Sequence, residues 1–265
     1  MVVATAGAVS HCCWLKPRPG PGCATRFNLC EPYASGKFAA LDRLPDWTGY
    51  WATDDESFAK IRQTSDSPDP NNPNVPKLKK KYWDYRMINK VLNKGVDGKG
   101  AYNNAMDCIP DGMPSMMSIP IEYEFVMAPG VIYVHTSLGN VRRIYTDGRK
   151  LSDDVVPSFT GYSLGHWEGD TLVVETTQIL HRAEMFVGMR QEGETRVVER
   201  MKLASKDKFQ IDTDVYNDTM LDEPFRYRRT YQRIPEMYEA LCMENNRDNN
   251  TAVDLTPPPI EGSAK

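Results

Sequence analysis

The sequence is short of the residues that metal, nucleotide and membrane chemistry require. It has only 4 histidines in 265 residues, with no H-x-H or HExxH spacing. Convergence of His135, His166, His181 and Glu199 on a metal would therefore depend wholly on the fold, and no metal site is expected. Its 6 cysteines form no CxxC pair, which argues against a structural zinc site. Gly-rich phosphate loops, the Rossmann fingerprint and the Walker sequence are all missing. No run approaches the roughly 20 apolar residues that span a bilayer. Charge of one sign is lacking too, since 36 acidic against 32 basic residues leave a net charge of −4, without the positive field that nucleic acid selects. The one basic run, Lys77, Lys79, Lys80 and Lys81, reads as a solvated face. Chemistry without a cofactor, or simple binding of a small molecule, is what these absences leave open, and a homo-oligomer is compatible with either.

What is present is ordinary globular material, 40% hydrophobic and 10% aromatic, which supplies large side chains for a core or a cavity wall. Residues 1–40 read as a flexible start, 41–250 as one domain and 251–265 as a flexible tail. Met1 to Val9 has no basic residue before its apolar stretch and makes a poor secretory signal, although Ala4, Ala6 and Ala8 would suit a cleavage site. Cys12, Cys13, Cys23 and Cys30 lie in the Gly/Pro-rich start. For the isolated Cys108 and Cys242, a disulfide in an oxidising compartment and two buried thiols fit equally well.

Residues 66–76 hold four prolines and three asparagines and must be a loop. Tyr82 to Asn93 carries Trp83, Met87, Ile88, Val91 and Leu92 at helical spacing with Gly95 after them, which predicts an accessory helix. An opening strand is expected around Trp47 to Trp51. From Tyr123 onward the period becomes two. Strands are expected at 123–127, 131–136, 141–146, 162–168, 171–177, 195–203, 209–216, 225–233 and 238–243, with Asp147-Gly148, Glu168-Gly169-Asp170-Thr171 and Ser205-Lys206-Asp207 as hairpin turns. No helix of crossover length separates them, so the fold class is all-β: an antiparallel meander closing to a lipocalin-like barrel, with one or two accessory helices in the N-terminal half.

Alternation assigns faces. Thr195, Val197, Glu199, Met201 and Leu203 share an inward face, and Phe225, Tyr227, Arg229, Tyr231 and Arg233 another. Glu199 and Arg229 are thus inward charges that either pair with each other or serve a polar cavity. Val131, Tyr133 and His135 share a face, as do Tyr162, Leu164 and His166. Gly161-Tyr162-Ser163-Leu164-Gly165 matches G-x-S-x-G literally, but the nucleophile elbow needs a strand-to-helix turn, and here a hairpin continues.

Four ordered segments, Cys108-Ile109-Pro110-Asp111-Gly112-Met113-Pro114, Arg142 to Arg149, Gly165 to Val174 and Glu244 to Asp248, resemble a large group of bacterial, mostly exported proteins over residues 105–250. The resemblance implies a shared barrel-like body and an exported or periplasmic location, but no particular reaction. It departs at Tyr162 and Arg196, where the group's pattern has histidine, so any chemistry done by those histidines is changed here. Gly49-Tyr50-Trp51 is similar to the G-x-W of the first lipocalin strand.

The leading expectation is a cofactor-independent acid/base enzyme, an isomerase, cyclase, lyase or hydratase, acting on a small apolar metabolite such as a terpenoid or aromatic. Glu199, His135 and Tyr162 would move protons, Arg229 and His166 would hold polar groups, and Trp167, Tyr133, Tyr227 and Tyr231 would form the walls. The alternative is a lipocalin-like carrier in which the same groups merely orient a hydrophobic ligand.

Overall fold

Short runs of alternating burial build a sheet that closes on itself. The computed structural model describes residues 41–93, 104, 108–152, 154–186 and 188–240. The expected flexible ends, Cys242 and the segment Glu244 to Asp248 lie outside the described residues. The strands are β1 (Gly49–Thr53), β2 (Glu122–Ala128), β3 (Val131–Thr136), β4 (Val141–Tyr145), β5 (Tyr162–Glu168), β6 (Thr171–Thr177), β7 (Glu184–Phe186), β8 (Met189–Arg190), β9 (Arg196–Ser205), β10 (Lys208–Tyr216) and β11 (Phe225–Ile234), with helices α1 (Asp55–Asp66) and α2 (Lys80–Asn93). Around the barrel the order is β1-β11-β10-β9-β6-β5-β4-β3-β2, while β7 and β8 form a separate hairpin.

The predicted all-β barrel with accessory helices is what the chain adopts, with local differences. One neighbouring pair is parallel: β4 meets β5 with Ile144 opposite Ser163. The loop 146–161 brings the chain back without a helix, so Asp147-Gly148 does not close the hairpin expected there: two strands that run parallel cannot be joined by a tight turn. Residues 238–240 are not strand, because Pro235 has no N–H to continue the ladder. That segment is tied down instead by Tyr238 N–H to Glu122 Oε2 at 2.7 Å and Ala240 N–H to the Ser137 carbonyl at 2.8 Å; residues 241–243 lie outside the described residues. Cys108 is disulfide-bonded, and every other cysteine of the chain lies outside the described residues.

Large aromatics fill one end of the barrel. Trp47 packs on Phe209 at 4.8 Å between ring centroids and on Trp167 at 4.9 Å, and Phe125 meets Phe209 at 5.0 Å. Burying each such ring contributes about 1.5–3 kcal/mol relative to exposure. Ile132, Val134, Ile144, Leu172, Val174, Val197, Met201 and Ile211 continue the interior. The other end is stopped by the segment running from Asp111 through a single 3-10 turn at Ser115–Met117. Tyr123 Oη donates to the carbonyls of Met116 and Ile119, both at 2.9 Å, and Tyr231 Oη donates to the Met117 carbonyl at 2.6 Å.

Helix α1 starts at an Asp54 cap, which accepts from Ser57 N–H at 2.9 Å. Its buried residues are Ser57, Ile61 and Thr64, correctly spaced for one helical face but with a single apolar side chain among them. The helix docks through hydrogen bonds rather than grease, with Ser57 Oγ 3.0 Å from Thr230 Oγ1 on β11.

Candidate functional site

Four of the residues expected to face a cavity stand on the outer face of the barrel. On β3 the inner positions are Ile132, Val134 and Thr136, which sends Tyr133 and His135 outward. Tyr133 lies under Arg143 at 6.0 Å, and His135 Nδ1 is 3.6 Å from Glu124 Oε2. On β5 the inner positions are Ser163, Gly165 and Trp167, so Tyr162 and His166 point out. Tyr162 stacks on Tyr145 at 5.2 Å, and His166 Nε2 sits 3.1 Å from Glu168 with its side chain 66% exposed. A strand's side chains alternate, so choosing the wrong face moves every member of the set at once. Trp167 is inward as expected, but it packs on Trp47 within the aromatic end.

Glu199 is inward and fully buried, yet its partner is Arg142 and not Arg229. Arg142 Nη1 donates to Glu199 Oε1 at 3.1 Å, and Nη2 makes a second, very short bond to Oε2. The guanidinium also donates from Nε to Ser163 Oγ at 3.1 Å and from Nη2 to Thr176 Oγ1 at 2.9 Å. Ser163 and Thr176 hydroxyls meet at 2.8 Å. Both charges are at 0% side-chain exposure, bidentate and surrounded by satisfied hydroxyls, an arrangement that fixes strand register. The G-x-S-x-G serine is spent as a ligand of this arginine. Arg142 was hidden in sequence by Arg143 beside it; the only signal is that it shares a parity with the inward Ile144.

Arg229, Tyr227 and Tyr231 are inward as expected, and they gather with Tyr123 under the segment 111–119. Tyr227 Oη accepts from Ser118 Oγ at 2.8 Å, and Arg229 lies 4.5 Å over the Tyr227 ring while donating to Thr64 Oγ1 at 3.2 Å. Burial raises the hydroxyl pKa of Tyr123, Tyr227 and Tyr231, so all three stay protonated.

At this same end stand two carboxyls that the sequence reading did not single out. Asp111, 5% exposed, is pushed up to about 6 by burial. Glu184 of β7, at 0%, is raised to about 7 by burial first, with the charge of Asp111 adding to it, against two hydrogen bonds and the charge of Arg190. Those bonds come from the backbone N–H groups of Asn104 at 2.6 Å and Gly188 at 3.1 Å. A backbone bond from Glu184 N–H to the Asp111 carbonyl at 2.7 Å holds the two segments together. Asn104 braces the same junction, donating from Nδ2 to the carbonyls of Pro110 at 3.0 Å and Arg182 at 2.8 Å.

Gly112 makes that approach possible. Its φ is +74°, and a Cβ there would fall 2.5 Å from the Phe159 carbonyl oxygen and 2.6 Å from the Ala183 Cβ. Gly112→Ala is therefore expected to lower unfolding free energy by about 1–3 kcal/mol in urea titration; a change within about 0.5 kcal/mol would show that nothing here is tightly held.

A groove of about 470 Å³ opens on the outer face, lined among others by Gln178, Glu194, Arg196 and Tyr216. It contains Arg196, one of the two departures from the resembled pattern, stacked on Tyr216 at 4.0 Å and paired with Glu175 at 3.1 Å. Among the described residues no helix is long and apolar enough to cross a membrane, and no three His, Cys, Asp or Glu side chains cluster as a metal site would require. No protein-family model matches the chain, and no curated protein matches it.

Proposed function

We propose that the protein is an acid/base enzyme that needs no redox cofactor and acts on a small, largely apolar molecule at the stoppered end of the barrel. Asp111 and Glu184 carry the proton transfers. The observation that supports this reading is the pair itself: two buried carboxyls, electrostatically coupled, each held near neutral pH. A carboxyl with a pKa of about 6 is populated in both forms near pH 6–7, so it can take a proton and return it, which is how buried carboxyls serve as catalytic acids and bases. Glu199 lacks that freedom because its two oxygens are committed to Arg142.

The two carboxyls are not equivalent. Glu184 is oriented by two N–H donors and, with a pKa of about 7, is about half protonated at neutral pH, which leaves it the better general acid of the two. Asp111 has the lower pKa and suits the base. Isomerisation, elimination and hydration all need such a donor and acceptor in one site.

The test is a thermal-shift screen of terpenoids and small aromatics against the purified protein, with mass-spectrometric analysis of each stabilising compound. The proposal expects a compound that the wild type converts and that Asp111→Asn binds but does not convert. Stabilising compounds recovered unchanged from the wild type would instead make the protein a carrier.

A further inference from the structure

We propose that the small cavity between α1, the turn at Ser115 and β11 binds one monovalent anion of halide size, held by the Nε–H of Arg229 and the hydroxyl of Ser115. Arg229 is 1% exposed, and all that it touches is neutral. Nη1 donates to the Arg228 carbonyl at 3.2 Å, Nη2 donates to Thr64 Oγ1 at 3.2 Å, and the guanidinium lies over Tyr227. The ionisable groups acting on it are Tyr227, Tyr231 and Tyr123, which carry no charge at neutral pH. Its Nε has no hydrogen-bond partner.

A buried guanidinium without a counter-charge is strongly disfavoured. Ser115, at 0% exposure, also has an Oγ with no partner, and Ser115 and Arg229 line the same cavity, together with Thr64, Ser118 and Phe186. On the other side of Phe186 and Thr64 lies a second buried cation, Arg86. It is 5.2 Å over the Phe186 ring and donates to the Thr64 carbonyl at 2.6 Å, with Nε and Nη1 unpartnered. Among the described residues neither arginine has a carboxylate in ion-pair contact, although Asp66 acts on Arg86 from a distance, and the two unpartnered donors Arg229 Nε and Ser115 Oγ belong to residues that line one void.

Size selects the occupant. The cavity measures about 10 Å³, at the lower limit of what holds one water molecule. A sulfate or phosphate does not fit, and water fills the volume without neutralising the charge. A single-atom anion neutralises the charge, and a halide, somewhat larger than a water, enters with a small outward shift of the lining side chains. The inference requires only that Arg229 is cationic, buried and unpaired, so it stands whether or not the neighbouring carboxyls catalyse a reaction.

The experiment combines bromide-soaked crystals, with anomalous data at the bromine edge, and melting curves in sodium bromide against sodium gluconate at equal ionic strength. The expected results are an anomalous peak between Arg229 Nε and Ser115 Oγ, and a melting temperature that rises saturably in bromide by several degrees over gluconate. Arg229→Met should abolish that difference, and Ser115→Ala, a small change at a buried hydroxyl, should shift its midpoint at least several-fold toward higher bromide. A site filled by water without anomalous signal, together with superimposable melting curves in the two salts, would overturn the inference.

Discussion

Glu199→Gln is expected to lower unfolding free energy by about 3–5 kcal/mol, because it leaves the Arg142 guanidinium buried without its counter-charge. That is a large share of the roughly 5–15 kcal/mol by which ordinary domains are stable. Arg142→Met alone should cost a similar amount by orphaning the carboxylate. The double replacement of Arg142 by Met and Glu199 by Leu should recover most of the loss, since an apolar pair of similar volume needs no compensation. Urea denaturation of the three variants forms a double-mutant cycle, and its coupling energy should be several kcal/mol. Additive losses would mean that the two side chains do not act as a pair. The cycle also separates roles: any Glu199→Gln protein that remains folded should keep its turnover, whereas a catalytic Glu199 would lose turnover out of proportion to stability.

Asp111→Asn should have the opposite profile, losing activity while gaining stability. Removing a catalytic acid or base lowers rate by about 10²–10⁴. The stability gain follows from linkage. The folded pKa of Asp111 is raised from 3.8 to about 6, so the folded state holds its proton where the unfolded chain has released it. The stabilisation from protonation is full below about pH 4, is lost as pH rises through about 6, and is absent above that. Glu184, raised from 4.5 to about 7, extends the decline to about pH 7. At about 1.36 kcal/mol per pKa unit, Asp111→Asn should gain up to about 3 kcal/mol over the wild type at pH 8 and nothing from this cause at pH 4. Denaturation at the two pH values checks the sign. A variant that is less stable at pH 8 would show that the ionised carboxylate is a favourable part of the fold.

How far the sequence could be read is clearest strand by strand. The inner face of β9 was legible because Val197, Glu199 and Met201 alternate with Val198, Arg200 and Lys202, a contrast strong enough to choose a side. On β3 the contrast fails, since Val131 and Tyr133 are as apolar as Ile132 and Val134, and nothing local says which pair faces in. β5 misleads further, for its inner positions are the small Ser163 and Gly165. Ser163 is small where Arg142 of β4 lies beside it, and Gly165 where a Cβ would meet Ile144 at 3.1 Å and Leu172 at 3.2 Å. The stripe Ser57, Ile61 and Thr64 concealed α1 in the same way, its burial depending on Thr230 and Arg229, 173 and 165 residues downstream of Ser57 and Thr64.

Asp111 and Glu184 escaped notice because a raised carboxyl pKa is a property of surroundings and not of neighbours in sequence. Glu184 is desolvated by segments near residues 104, 111 and 188, and no periodicity marks such a meeting. One local sign existed: Asp111-Gly112 lies between Pro110 and Pro114 in the first of the four segments that carry the resemblance, and a tight, glycine-dependent turn flanked by prolines is where a side chain can be held against a distant loop.

The most direct test of the central claim is a carbon-13 NMR titration of the carboxyl carbons in protein labelled at Asp and Glu, with Asp111→Asn and Glu184→Gln used for assignment. Two carboxyls with midpoints near 6 and near 7 are expected, and removing Asp111 should lower the Glu184 midpoint by removing the neighbouring charge. Midpoints near 4 for both, unchanged by either substitution, would contradict the account.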